Sequence, residues 1–197
     1  WLPTHANPPE EDPRPEPARA QSYVPWLVLV AIFATYVDIG TYWTYIELAS
    51  LDAGASPTWV GQVLVASSLF SILGCLAALA ISSRFGLGWP LRLTLVAQAA
   101  VVLVVASGID DTRIAVSLLG FTFLWMFSDI YQLATLSRFD TSGTFAALVP
   151  GAQGLGQIAG PNAAASLLAA GFPYASVFVL CAAASLVAAA IYLALHA

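Results

Sequence analysis

The sequence contains little charge and no lysine. Only 9% of its 197 residues are charged, whereas 59% are apolar. A soluble globular domain carries about 25% charged residues, so this chain has too few to cover a surface that faces water. Its net charge is -5 and its only basic side chains are six arginines, which excludes the basic face that a nucleic-acid-binding protein needs. The composition therefore predicts an integral membrane protein that contacts lipid and has no nucleic-acid partner.

Side chains for metal or nucleophilic chemistry are equally scarce. The two cysteines, Cys75 and Cys181, lie in apolar runs without a neighbouring His or Cys, and the two histidines lie near the ends of the chain. The sequence has no Gly-x-Ser-x-Gly turn and no His-Glu-x-x-His pair. We therefore expect no metal, no cofactor and no enzymatic activity. An intramembrane aspartic protease, the remaining enzymatic alternative, has only a pair of aspartates in its favour.

Long apolar runs follow a polar N-terminal segment. Residues 1–22 are rich in proline and acidic side chains, which is typical of a disordered linker. Residues 23–197 consist of apolar runs separated by short breaks, and a membrane-spanning helix needs about 20 apolar residues. The runs predict an all-α membrane domain of six transmembrane helices, at residues 24–49, 59–81, 91–109, 113–137, 143–170 and 174–195. The short breaks predict that consecutive helices are antiparallel neighbours.

The arginines predict the orientation of the chain. If the N-terminal tail is cytoplasmic, five of the six arginines lie on the cytoplasmic side, and only Arg113 lies outside. Cytoplasmic loops carry an excess of basic residues. We therefore expect both termini to be cytoplasmic.

Two local motifs resemble those of a known transporter family. Ser83-Arg84-Phe85-Gly86 resembles the cytoplasmic signature of the major facilitator superfamily, in which an acidic residue precedes Arg-x-Gly. Here Ser83 occupies the position of the acid, and Leu79 that of the leading glycine. Residues 151–161 (GAQGLGQIAGP) resemble the glycine-rich eleventh helix of bacterial members. Six helices with both ends inside, after an acidic linker, are similar to the C-terminal half of that family.

The resemblance implies a fold and a function. The fold is half of a twelve-helix bundle in a bacterial inner membrane, whose partner is an N-terminal six-helix half of the same polypeptide. The function is secondary active transport of a small organic solute, sugar-like or drug-like, coupled to protons and performed by alternating access. The alternative is a six-helix channel or a membrane scaffold that does not transport.

Asp38 is the first candidate for substrate or proton binding. An ionised side chain in the middle of a membrane is costly, by at least about 2.5–3.5 kcal/mol, so such residues are functional candidates by default. Tyr42 and Tyr45 follow Asp38 at i+4 and i+7, on the same helical face. An acid and two phenols suit the wall of a polar cavity. Alternatively, Asp38 is a structural carboxyl group hydrogen-bonded to a neighbouring helix.

Asp129 is the second candidate for substrate or proton binding. Trp125 and Gln132 share its face at i-4 and i+3. An aromatic ring, an acid and an amide on one stripe suit a sugar- or drug-binding surface. The alternative role for Asp129 is an interhelical hydrogen-bond anchor.

The fifth predicted helix combines amides with small residues. Gln153 and Gln157 lie one turn apart, which places them on one face where they can contact substrate. Small residues spaced four apart let two helix backbones approach closely. Gly156 and Gly160 have this spacing. We expect a helix-packing role for them and also for Gly154 and Pro161, and Pro161 can in addition kink the helix.

Overall fold

The structure is a bundle of six helices. A computed structural model describes residues 23–195, and all regular secondary structure in this range is helical. The predicted linker at residues 1–22 lies outside the described residues. The helices are α1 (Val24–Asp52), α2 (Pro57–Phe85), α3 (Gly88–Ala106), α4 (Asp111–Phe139), α5 (Thr144–Ala169) and α6 (Tyr174–Leu195). The predicted all-α membrane fold is thus confirmed.

Helix α5 differs from the other five in polarity. Within residues 23–195, five helices are long and apolar enough to cross a membrane, and α5 is not among them. It has 26 residues but contains Pro150 and Pro161 in its interior, together with glycines and amides. Its length suits a spanning segment, whereas its composition suits a helix that faces protein or a polar groove.

The predicted third and fourth spans begin earlier in the structure than in the sequence pattern. Helix α3 starts at Gly88 because Pro90 is tolerated in a first turn, where its missing N–H leaves no hydrogen bond unmade. Helix α4 starts at Asp111 because Asp110 caps it: the Asp110 carboxylate accepts the backbone N–H of Arg113 at 2.9 Å.

The Arg-x-Gly motif forms the turn between α2 and α3. Gly86 ends α2 with φ of +66°, a conformation that glycine adopts readily and other residues rarely. Arg84 is exposed in the last turn of α2, where its positive charge interacts favourably with the unpaired carbonyl groups of the helix end. In the structure, the Arg-x-Gly motif therefore terminates α2.

Packing does not follow the order of the chain. The closest pairs are α1 with α5, α2 with α4, α3 with α6 and α1 with α6. Among the six described helices, α3 and α4 are the only consecutive pair that packs extensively. The prediction that consecutive helices are neighbours is therefore wrong for most of the bundle. Helix α1 is central, because 72% of an 18-residue apolar stretch of this helix is buried inside the bundle. Helix α2 is peripheral, because only 17% of the corresponding stretch is buried.

Glycines allow α1 and α5 to approach backbone to backbone. A Cβ atom at Gly156 would lie 2.6 Å from the carbonyl oxygen of Phe33, and one at Gly160 would overlap the carbonyl oxygen of Val37. On α1, a Cβ at Gly40 would lie 2.7 Å from the Cα of Gln157. Close approach of this kind is the known use of small residues in membrane helices.

Gly154 has no such role among the described residues. A Cβ atom built there would meet no atom within 4 Å. Gly154 is two residues before Gly156, and positions two apart lie on different faces of a helix. Within the described residues, no helix therefore packs against Gly154. Pro161 contributes differently, since its carbonyl oxygen accepts a hydrogen bond from the Tyr45 hydroxyl at 3.2 Å.

Candidate functional site

A groove lies over α1, between α4 and α5. Helix α1 packs against both of these helices, which touch each other only slightly. The side chains that face this groove come from three separate segments of the chain. We call it the α1/α4/α5 groove, and it contains two adjacent layers of side chains.

The first layer is built around the carboxylate of Asp129. The Tyr36 hydroxyl donates a hydrogen bond to Asp129 Oδ1 at 2.9 Å, and Gln153 Nε2 lies 3.4 Å from the same oxygen. Asp129 is partly buried, and the described residues include no arginine paired with it. One residue from each of three helices thus meets at a single carboxylate oxygen, which makes the site sensitive to movement of any of the three.

The second layer is aromatic and lies one turn from the first along α4 and α5, and two turns from it along α1. Trp43 and Trp125 meet with ring centroids 6.0 Å apart and planes inclined by 63°. They line a cavity of about 270 Å³ together with Gly40, Thr44 and Gln157, and with Ile39. Trp125 precedes Asp129 by four residues, and Gln157 follows Gln153 by four, so each pair shares a helical face. The ring cavity and the carboxylate are therefore neighbouring parts of one site.

Asp38 points away from the groove. Its carboxyl group is fully buried against α3 and α6, where Gln98 Nε2 donates a hydrogen bond to Oδ2 at 2.8 Å and the Ser185 hydroxyl donates a second. The Cys181 thiol lies beside the same carboxyl group. Oδ1 of Asp38 has no N–H or O–H donor among the described residues. This geometry favours the structural alternative for Asp38.

Tyr42 and Tyr45 do not form a cavity wall with Asp38. The Tyr42 hydroxyl lies 2.8 Å from the hydroxyl of Ser117 on α4, and its ring stacks on Phe121 with centroids 3.9 Å apart. Tyr42 is fully buried, and Tyr45 lies against α5. The polar groups of this predicted set therefore have partners on different helices: α3 and α6 for Asp38, α4 for Tyr42 and α5 for Tyr45.

The three glutamines that were predicted to contact substrate also lie in different surroundings. Gln132 is fully buried, and its Nε2 donates to Thr35 Oγ1 at 2.6 Å, so it links α4 to α1 instead of facing the groove. Gln153 and Gln157 face the groove in different layers, Gln153 at the carboxylate and Gln157 at the ring cavity. Of the eight residues predicted to bind substrate or protons, the structure brings together Trp125, Asp129, Gln153 and Gln157.

Sequence analysis assigned no role to Tyr36, Trp43 or Gln98, although Trp43 stands out as a tryptophan deep within its predicted span. Tyr36, Gly40 and Trp43 are spaced i, i+4, i+7, which is the signal of one helical face and was available in the sequence. Gln98 is an amide within an apolar run, and a polar group in a membrane helix is expected to find a partner. That its partner is Asp38, 60 residues away, depends on how α1 and α3 pack.

Removing the Gln98 amide is expected to destabilise the bundle. Gln98→Leu leaves the buried Asp38 carboxyl group with one hydrogen-bond donor fewer, and an unsatisfied buried polar group costs about 1–3 kcal/mol. The melting temperature of the purified protein in detergent should therefore fall. Gln62→Leu, an exposed position on α2, is the matched control and should leave melting unchanged. Equal melting of both variants and wild type would contradict a structural role for the Asp38 cluster.

These features define an integral membrane protein with a polar groove between its helices. Residues 1–194 match the family described as "Uncharacterised MFS-type transporter YbfB", and the chain belongs to this family of major facilitator transporters. The family consists of membrane transporters and not of enzymes. The resemblance drawn from the sequence is thereby confirmed, and transport is favoured over a channel or a scaffold. No curated protein matches the chain.

Proposed function

We propose that this chain forms one half of a secondary active transporter for a small organic solute, coupled to protons. The observation that carries the proposal is the partly buried Asp129 carboxylate, which two other helices hold in a groove and which has no basic partner in the described part of the chain. Because no permanent ion pair occupies this carboxylate, it is available to bind a proton or a solute. An N-terminal six-helix half of the same polypeptide would close the groove from the opposite side, and rocking of the halves would give alternating access.

We also propose that both termini are cytoplasmic, in a bacterial inner membrane, and the distribution of arginines supports this orientation. Arg84 ends α2, Arg92 lies in the second turn of α3 and Arg138 ends α4, so all three lie at the same end of the bundle. Arg113 lies at the opposite end, where it is 3.3 Å from the Asp110 carboxylate and is thus partly neutralised. This asymmetry follows the positive-inside pattern.

Transport is tested with the full-length protein in proteoliposomes. An imposed pH gradient, alkaline inside for symport or acidic inside for antiport, should drive accumulation of a labelled solute from a panel of sugars, amines and organic acids. A protonophore that collapses the gradient should abolish this accumulation, while empty liposomes show none. Accumulation that is indifferent to the protonophore would contradict proton coupling but leave transport intact.

A further inference from the structure

We propose that the α1/α4/α5 groove selects organic cations that carry an aromatic or similarly flat apolar ring. The inference rests on the proposed transport function and specifies the class of its substrate. The ring would occupy the cavity between Trp43 and Trp125, and the positive group would lie at the carboxylate of Asp129.

Charge provides the first argument. All four arginines among the described residues lie near helix ends, and the sequence contains no lysine. As far as residues 23–195 contribute to it, the groove therefore contains one carboxylate and two amides, Gln153 and Gln157, but no cation. An anionic solute would lose its hydration without gaining a positive partner and would be repelled by Asp129, whereas a cationic solute gains a charge-assisted contact.

The two indole rings provide the second argument. A cation within about 6 Å of an indole centroid is attracted to the ring face, and tryptophan is the strongest of the aromatic residues in this respect. Trp43 and Trp125 converge on one cavity of about 270 Å³. This volume suits a single substituted ring, and flat apolar groups are the natural partners of indole faces.

The spacing of the two layers provides the third argument. Trp125 and Asp129 are one turn apart on α4, which corresponds to about 5.4 Å along the helix axis. A positive group one or two bonds from a ring spans this distance. Gly40 contributes because it carries no side chain where the cavity meets α5, and a Cβ there would lie 2.7 Å from the Gln157 backbone.

The test compares three ring compounds that differ in charge. Binding of labelled benzyltrimethylammonium, benzyl alcohol and phenylacetate to the full-length protein is measured by equilibrium dialysis in detergent, with empty micelles subtracted. The cation should bind at least about tenfold more tightly than either other compound. Equal or tighter binding of phenylacetate or benzyl alcohol, or no binding of the cation, would overturn the proposal.

Substitutions of groove residues test whether the cation binds in the α1/α4/α5 groove. Trp125→Leu and Asp129→Asn should each weaken binding of the cation by about tenfold, and Trp125→Phe should give an intermediate affinity because a phenyl ring attracts cations less strongly. Trp89→Leu is the control, since Trp89 is exposed at the start of α3, away from the groove. Cation binding that survives all three groove variants would overturn the assignment.

The outcomes separate the substrate class from the transport function. Tight cation binding without gradient-driven flux would sustain the inference and contradict proton coupling. Asp129-dependent, gradient-driven flux of a sugar or an organic acid, with no cation binding, would sustain the transport function and refute the inference.

Discussion

Asp129→Asn is expected to abolish gradient-driven accumulation of solute. The asparagine side chain still accepts the hydrogen bond of the Tyr36 hydroxyl, so the contact between α1 and α4 survives, but its amide can neither take up a proton nor carry charge. Loss of a charged hydrogen-bonding partner is worth about 1.5–3 kcal/mol, or about 10- to 100-fold in affinity. Initial uptake rates in proteoliposomes under a fixed pH gradient measure the effect.

Asp38→Asn is the matched control for Asp129→Asn. Asp38 contacts Gln98 and Ser185 behind α1 and does not reach the groove, so the same chemical change there should alter stability more than transport. Exchange of labelled for unlabelled solute, which needs no net proton movement, separates the two possible roles of Asp129. Retained exchange assigns Asp129 to coupling, and lost exchange assigns it to solute binding. Full accumulation by Asp129→Asn would show that this carboxylate is not required.

Gly160→Ala is expected to separate α1 from α5 and to destabilise the protein. Its methyl group would overlap the carbonyl oxygen of Val37 and the hydroxyl of Thr41. The first of these is backbone and cannot rotate away, so the helices must move apart. Overpacking typically costs about 1–3 kcal/mol, and a clash with backbone belongs at the upper end. Because both layers of the groove depend on this helix pair, transport should fall along with the melting temperature.

Gly154→Ala is the control for Gly160→Ala, because it separates the steric effect of the added methyl group from its effect on helix propensity. Both substitutions replace glycine by alanine in α5, which by itself favours the helix by about 0.8–1.0 kcal/mol. At Gly154 no described atom lies within 4 Å, so only this favourable term applies. The melting temperature of Gly154→Ala should therefore equal or exceed that of wild type. A similar loss of stability in both variants would contradict close packing as the role of Gly160.

The sequence indicated the candidate site only in part. Asp129 and Trp125 were identified because their polarity or size is unusual in an apolar span and because they are four residues apart. Asp38 met the same criterion equally well, together with Tyr42 and Tyr45, but it faces Gln98 and Ser185. Periodicity shows which residues of one helix share a face, but it does not show which helix that face contacts.

The sequence by itself determined the membrane class, the helical content and the family of this protein. Those properties depend on the length, apolarity and order of local segments, because each spanning helix satisfies its own backbone hydrogen bonds. The tertiary structure decided that α1 packs on α5 and α6 instead of on α2, and hence which aspartate lies in the groove. The α1–α5 pairing depends on small-residue contacts between segments more than 100 residues apart, such as that between Gly156 and Tyr36.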